Sequence, residues 1–237
     1  MKLNLTQGTL EDTIKTIEDY KNAIFNSKGI YRYKNLANTK MFYSDNIKRL
    51  VQNYRIGYLR MMQYQLQDDN IDEVQLLVNQ MNEYFPHNIL PIDPWLGFEI
   101  VDKIYKPLKN IIGQKDMLSH LADSNSDINV KLIAIVRALE LEHYTLAEEI
   151  MDKYVINKLD LNSKLALFYE VVNNLGYHNS LEPLIDDIIN NYDVEELSLN
   201  DKYAIFGVLY QINYTQGIIK IGKSLLLNHY DGELTEV

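Results

Sequence analysis

YTLAEEIMDKYV, residues 144–155, is the stretch whose reading decides the fold. Its apolar side chains Leu146, Ala147, Ile150, Met151, Tyr154 and Val155 recur at spacings of three and four. That spacing gathers them on one face of a helix and leaves Glu148, Glu149, Asp152 and Lys153 on the other. Working outward, the same spacing recurs in Ile128, Leu132, Ile133, Val136 and Leu139 upstream. Downstream it recurs in Leu165, Phe168, Tyr169 and Val172, in Leu181, Leu184, Ile185 and Ile188, and in Ile205, Phe206 and Leu209 before Ile218, Ile219, Ile221 and Leu225. None of these runs alternates with the period of two that a strand needs. The expected fold is all-α, built from stacked antiparallel helix pairs.

Start and stop signals divide the chain. Asp127, Asn162 and Asn200 are candidate N-caps, 35 and 38 residues apart, one helix pair plus its connections. Tyr144-x-x-Ala147, Tyr177-x-x-Ser180 and Tyr214-x-x-Gly217 each place an aromatic three residues before a small one, with Ile71-x-x-Val74 a looser copy. The period and this motif resemble tetratricopeptide repeats, in which the small residue lets paired backbones approach. The resemblance implies a tetratricopeptide-like α-solenoid. Residues 10–26 read as a separate helix ending near Lys28-Gly29, and 30–43 as an ordered, basic and aromatic loop. Ser44 or Asp45 would then cap a helix running to about Gln67. Pro86 to Pro94 is an extended break, Lys106-Pro107 kinks or divides the next helix, and the acidic, Ser-rich 123–127 is the best subdomain boundary. The resulting division is 1–43, 44–122 and 123–237, with one continuous repeat domain expected.

Composition narrows the function classes. The net charge is −10, yet residues 1–60 carry eleven Lys and Arg against five Asp and Glu. A chain acidic overall is a poor general ligand for nucleic acid, so none is expected as a partner. No run approaches the roughly 20 apolar residues that span a bilayer. There are no cysteines, which removes disulfides, thiolate metal sites and cysteine nucleophiles. There is no phosphate-binding Gly-rich loop, no nucleophile elbow and no His-Glu-x-x-His. Glu140-x-x-His143 has the spacing of a helical metal-ligand pair but occurs once. The adjacent carboxylates Glu148-Glu149, Asp186-Asp187 and Glu195-Glu196 point about 100° apart on a helix, as solvated faces do. No catalytic residue, metal or cofactor is expected.

The candidate binding residues lie in the basic N-terminal part. Arg32 and Tyr33 fall in the loop, and Lys48, Arg49, Asn53, Arg55 and Arg60 on the following helix with Tyr54 and Tyr58. Arg49, Asn53 and Arg60 share one face, so these groups form either a basic groove for an acidic peptide or phosphate, or anchors that tie the 30–45 loop to the helix. A protein or peptide partner is expected. If it binds the inner faces of first helices, aromatics such as Tyr54, Tyr58, Tyr169, Tyr203 and Tyr210 remain exposed. The oligomeric state is not legible.

Segment 30–122 also resembles the C-terminal helical-repeat region of a bacterial membrane protein family, common in Bacteroidetes-type genomes. Those proteins carry a multispanning N-terminal domain related to protein O-mannosyltransferases. The residues concerned are Tyr33-Lys34-Asn35-Leu36 leading to Phe42-Tyr43-Ser44-Asp45-Asn46, then Lys48-Arg49-Leu50 and Asn53-Tyr54-Arg55. Two further pieces are Met81 to Asp93, with Phe85-Pro86 and Leu90-Pro91-x-Asp93, and Ile112-Gly113-Gln114-Lys115 as a turn between helices. Asn35 stands where the family has Gly, and the membrane domain is missing, so sugar transfer does not carry over. The resemblance implies an extracytoplasmic helical region, and with it a second reading: an accessory domain docking acceptor proteins for a membrane O-glycosyltransferase. A third is a regulatory module holding a small ligand between helices.

Overall fold

The computed structural model describes residues 36–234 apart from 41, 124, 157, 177 and 178, with side chains described as far as residue 227. Among the described residues the chain is all-α, with ten α-helices and no strand, and neighbouring helices pack in pairs. It forms two compact units, Met1–His120 and Leu121–Val237. The expected helix over 10–26 and most of the 30–43 loop, Arg32 and Tyr33 included, lie outside the described residues.

The first unit contains α1 (Asp45–Gln67), α2 (Ile71–Tyr84), α3 (Pro94–Ile100) and most of α4 (Ile111–Leu121). α1 has the expected bounds, with Ser44 in the capping position, and packs against α2 and α3. Pro94 opens α3 behind the Asp93 cap, where a ring without an N–H loses no helical bond. α3 then widens into a π-helical turn, Val101–Tyr105, whose Lys106 N–H reaches back five residues to Val101 O at 2.9 Å. Pro107 follows with no N–H to continue the ladder, so the helix ends. Ile112-Gly113-Gln114-Lys115, expected as a turn, lies inside the first turns of α4. The turn falls earlier, because Asn110 accepts the Gly113 N–H at 2.9 Å and starts the helix there.

The second unit contains α5 (Ile128–Glu140), α6 (Tyr144–Tyr154), α7 (Leu161–Leu175), α8 (Glu182–Asn191), α9 (Leu199–Gln211) and α10 (Thr215–Leu234). α5 packs on α6 and on α7, α7 on α8, α9 on α10, and α8 on α10. The first helix α5 therefore touches the first helix α7, and the second helix α8 touches the second helix α10. Asp127 caps α5 as expected, accepting from Asn129 N–H at 2.8 Å. The other two caps sit two residues before the expected ones. Asp160 accepts from Ser163 N–H at 2.9 Å and Ser198 from Asp201 N–H at 3.2 Å, while Asn162 and Asn200 are already helical.

One turn recurs in both units. Asp69, Lys109, Glu142 and Asn213 have φ of 56°, 53°, 61° and 57°, and each stands two residues before a second helix. Each donates its N–H three residues back, and the following residue donates five back: Asn70 to Gln65, Asn110 to Tyr105, His143 to Ala138 and Tyr214 to Leu209, at 2.7–2.9 Å. This double bond pattern satisfies carbonyls that a helix end otherwise orphans. The carbonyl of the same following residue accepts the N–H four residues on, from Val74, Gln114, Ala147 and Ile218, which is the first four-residue bond of the second helix, so one helix stops and the next starts within three residues. In α2, α4 and α6 the fifth, eighth and ninth residues after the left-handed one are buried: Val74, Leu77 and Val78; Gln114, Met117 and Leu118; Ala147, Ile150 and Met151. The turn thus sets the register of the buried stripe. The α7–α8 connection differs: Gly176 has φ 71° and ψ −154°, a region open only to glycine, and a 3-10 turn over Asn179–Leu181 completes it.

The aromatic-and-small motif is only partly of one kind. A Cβ on Gly217 would lie 2.7 Å from Leu209 Cδ2, so α9 and α10 do need a small residue there. Tyr144 lies two residues after its left-handed residue and Tyr214 one, however, so the two copies are out of register. Tyr177 is outside the described residues.

A lysine at the fourth position of α5, α7 and α9 is buried in each case: Lys131, Lys164 and Lys202. Lys131 Nζ lies 4.8 Å from the Tyr154 ring centre. Lys164 pairs with buried Asp187 of α8 and lies 4.8 Å from the Tyr192 ring. Lys202 meets Glu195 at 3.0 Å. Asn191 donates to the second Asp187 oxygen at 2.7 Å, which completes that carboxylate's partners.

Two outcomes follow from these features. Glu142→Gly relieves a left-handed side chain and raises the unfolding free energy in urea by about 0.5–1 kcal/mol, whereas Glu142→Val lowers it. A loss with Gly would contradict the assigned turn. Lys164→Met leaves Asp187 buried and unpaired and destabilises by about 3 kcal/mol, with recovery on adding Asp187→Leu. Equal urea midpoints for wild type and the single variant would remove the buried pair from the account.

Candidate functional site

The site begins with a loop. Residues 85–93 leave α2 at Phe85, and the break expected as extended first makes a turn over 87–89, with the Leu90 N–H on Pro86 O at 2.9 Å, before it runs on to the Asp93 cap of α3. Their carbonyls point at α1, where Arg55, only 1% exposed, receives them. Its guanidinium donates to Phe85 O at 2.8 Å, Leu90 O at 2.5 Å and Pro91 O at 3.1 Å. Gln52 donates to Pro91 O at 2.7 Å and accepts from Asp93 N–H at 3.2 Å. Three proline-bounded carbonyls with no helix to join thus find donors. Burial lowers the Arg55 guanidinium to about 10, still charged at neutral pH. Tyr54 stacks on Phe85 at 5.8 Å between ring centres, and Tyr58 meets its edge at 5.9 Å.

The expected basic surface therefore separates into two. Arg55 and Tyr58 are interior and Tyr54 is half-buried, because all three face the 85–93 loop. Among the described residues, the segment that Arg55 anchors is 85–93. Arg49, Asn53 and Arg60 are exposed on the outer face of α1, whereas Lys48, seven residues before Arg55, is half-buried. Lys48 pairs with Asp45 at 3.4 Å, and Arg49 reaches Asn46 Oδ1 at 3.5 Å.

What the loop delivers is Trp95. Asp93 accepts the Trp95 N–H at 3.0 Å, which starts α3 and leaves the indole 62% exposed. Arg49, Gln52, Asn53 and Ile56 of α1 face Asp93, Trp95 and Leu96 across an open trough of about 420 Å³. It joins a cation, amide groups, an aliphatic floor and the chain's single tryptophan. Sequence reading found Arg49 and Asn53 but not Trp95. The signal was there: Asp93-Pro94-Trp95 is a cap, a first-turn proline and an apolar residue outside the α3 stripe.

A related trough of about 510 Å³ lies between the first helices α5 and α7 of the second unit. Leu132, Ile133 and Val136 face Ala166 and Leu167, with Asn129, the Arg137–Glu140 ion pair, Glu170 and Asn174 at its rim. Of the other tyrosines expected at first helices, Tyr203 and Tyr210 are exposed. Tyr169 is half-buried and donates to Asp201 at 2.6 Å; burial first, then that carboxylate, push its hydroxyl up to about 12. An acidic cleft of about 720 Å³ over Glu148, Glu182 and Asp186 lies at the starts of second helices. In it Tyr214 donates to Asp186, which, more than burial, pushes its hydroxyl up to about 12. Among the described residues no three His, Asp or Glu side chains group as a metal site would need, and no helix is long and apolar enough to cross a membrane.

The loop's other flank is titratable. His87 Nε2 lies 3.0 Å from Asp116 Oδ2, and its ring 4.7 Å from that of His120. Burial, outweighing the pull of Asp116 and helped by His120 and Arg55, holds His87 below 6.5. The unfolded chain then takes up this proton more readily than the folded one, so stability is full above about pH 6.5 and lost as pH falls through the folded value. The urea midpoint should drop on acidification from pH 7.5 to 5, and drop less in His87→Gln. Identical pH profiles would exclude His87 as the cause. Comparison of the chain with protein-family models, curated proteins and solved structures finds no match.

Proposed function

We propose that the chain is a non-catalytic interaction scaffold of tetratricopeptide-like helix pairs, which holds a segment of a partner protein in the troughs between first helices. The observation that carries this reading is the trough between α1 and α3, where an exposed Trp95 stands beside Arg49 and Asn53. Tryptophan and arginine are the side chains that most often dominate binding energy, and both are held by elements fixed from below through Gln52 and Arg55. Packing of first helix on first helix in the second unit, and the recurring turn, support the repeat assignment. Both troughs are open along their length, which suits an extended or helical segment better than an enclosed small molecule. The exposed cation Arg49, with Lys48 and Arg60 nearby on α1, favours a segment with acidic residues beside an apolar anchor.

A second form of the reading places that partner beside a membrane O-glycosyltransferase. It is favoured because the α1–α3 trough falls inside 30–122, the segment that resembles the transferase-linked region. It expects the gene to adjoin or fuse with one encoding a multispanning transferase.

A random-peptide display library panned on the protein tests the main form. Enriched peptides should carry acidic and apolar residues and shift the emission of Trp95. Anisotropy of a labelled peptide should show binding about thirty-fold weaker to Trp95→Ala or Arg49→Glu, a loss of about 2 kcal/mol. Peptides that bind both variants as well as wild type would move the site elsewhere.

A further inference from the structure

The chemistry that the α1–α3 trough asks of an occupant is carried by this chain itself. Thirty-five residues precede Leu36, the first described one. Within them Leu10, Ile14, Ile17 and Ile24 recur at spacings of four, three and seven, which gathers them in one stripe of a helix. Glu11 and Glu18, seven apart, stand along one edge of that stripe, and the uncharged Thr13 and Tyr20 along the other. Asp12, Lys15 and Asp19 fall on the far side. The trough has the complementary layout. Arg49, Ile56 and Arg60 share a face of α1 at spacings of seven and four, so one wall holds a cation toward each end of an aliphatic middle. Among the described residues neither arginine meets a carboxylate, and Arg49 donates to the Asn46 amide oxygen instead. The facing wall is the exposed, uncharged indole of Trp95.

We propose that residues 10–26 of this chain dock as a helix in the α1–α3 trough, antiparallel to α1, and compete there with the partner segment. The proposal rests on the reading of that trough as a segment-binding site. Reach and direction agree. Residues 27–35 extend to about 30 Å at most, and they lead to the end of α1 that Ser44 opens. The direct route sets residue 26 at that end and residue 10 farther along α1. A 17-residue helix is about 25 Å long, and Asp45 to Arg60 covers a similar length of α1. Glu18 then comes beside Arg49, and Glu11 toward Arg60. Ile14 and Ile17 lie between Ile56 and the Trp95 ring, with Tyr20 on the Trp95 side. Tethering supplies the occupancy. A connection this short holds its segment at an effective concentration of about 1 mM. An intrinsic dissociation constant of about 0.1 mM therefore keeps the trough about 90% filled and weakens a competing partner about tenfold.

The chain's single tryptophan makes the test direct. In the whole chain Trp95 should emit at shorter wavelength, and be quenched less by acrylamide, than in Ile14→Asp with Ile17→Asp. Cooperative urea unfolding serves as the folding control. Peptides enriched by panning should bind that double variant about tenfold more tightly than wild type. Glu18→Lys should act in the same direction, Glu18→Lys with Arg49→Glu should restore the shielding, and Asp12→Asn with Asp19→Asn should behave as wild type. Unchanged emission and unchanged peptide affinity in the Ile14 and Ile17 variant would overturn the proposal. If peptides then bind the trough equally in both chains, the segment-binding reading stands and the N-terminal occupant falls. If residues 10–26 shield Trp95 but no peptide binds even the double variant, the occupant stands and the reading falls. Should the double variant misfold, cysteine pairs decide the matter, because the chain has no cysteine of its own. Ile17→Cys with Asn53→Cys should close an intramolecular disulfide on mild oxidation of a dilute sample, and Ile17→Cys with Leu76→Cys should not. Equal closure of the two pairs would count as random collision and against the docked segment.

Discussion

The structure depends on a left-handed residue that reverses the chain between the helices of a pair. Outside glycine such a conformation costs about 1 kcal/mol, and here Asp, Lys, Glu and Asn all adopt it. The two backbone bonds that close each turn offset that cost, because they satisfy carbonyls the first helix would otherwise leave bare. With the turn fixed, the second helix starts at a set distance and in a set rotation. Its buried stripe therefore meets the first helix without choice of register. With each pair closed in this way, first helices can lie beside first helices, as α5 and α7 do.

The proposed function follows from that adjacency. Two first helices side by side leave a trough whose floor is aliphatic and whose rim is polar, and the rim is where sequences can differ without harm to the core. In the first unit the trough depends on more than helices. The proline-bounded loop from Phe85 to Asp93 has carbonyls to satisfy, Arg55 and Gln52 satisfy them, and the loop then presents Trp95. Arg55 acts as a positioning residue for a surface it does not reach. A buried guanidinium in such a place supports several carbonyls at once, which a lysine could not do.

Much of the fold could be read before any coordinates. Apolar spacing in 144–155 and its neighbours gives the helices, and Ser44-Asp45 through Gln67 gives the bounds of α1. The turns were hidden because their left-handed residues are chemically unalike, so no glycine or asparagine signature marks them. Asparagine is a good cap, which is why Asn162 and Asn200 look like caps in the sequence, yet Asp160 and Ser198 stand two residues earlier and win the bond. Read from those caps, the chain repeats Asp127-Ile128-Asn129-x-Lys131, Asp160-Leu161-Asn162-x-Lys164 and Ser198-Leu199-Asn200-x-Lys202. That repeat is clearer than the aromatic-and-small one. It is easily passed over because lysine is expected in solvent, whereas here an aromatic ring or a carboxylate meets each buried ammonium. Arg55 misleads in the same way: a run of basic residues looks like one surface until the loop carbonyls are counted.

Backbone NMR of the uniformly labelled chain tests the recurring turn most directly. The account predicts positive φ at Asp69, Lys109, Glu142 and Asn213 from coupling constants and carbon shifts. It also predicts that the amides of Asn70, Asn110, His143 and Tyr214 exchange with solvent as slowly as those in helix interiors. Negative φ at these four residues, or exchange at the rate of an open loop, would contradict it.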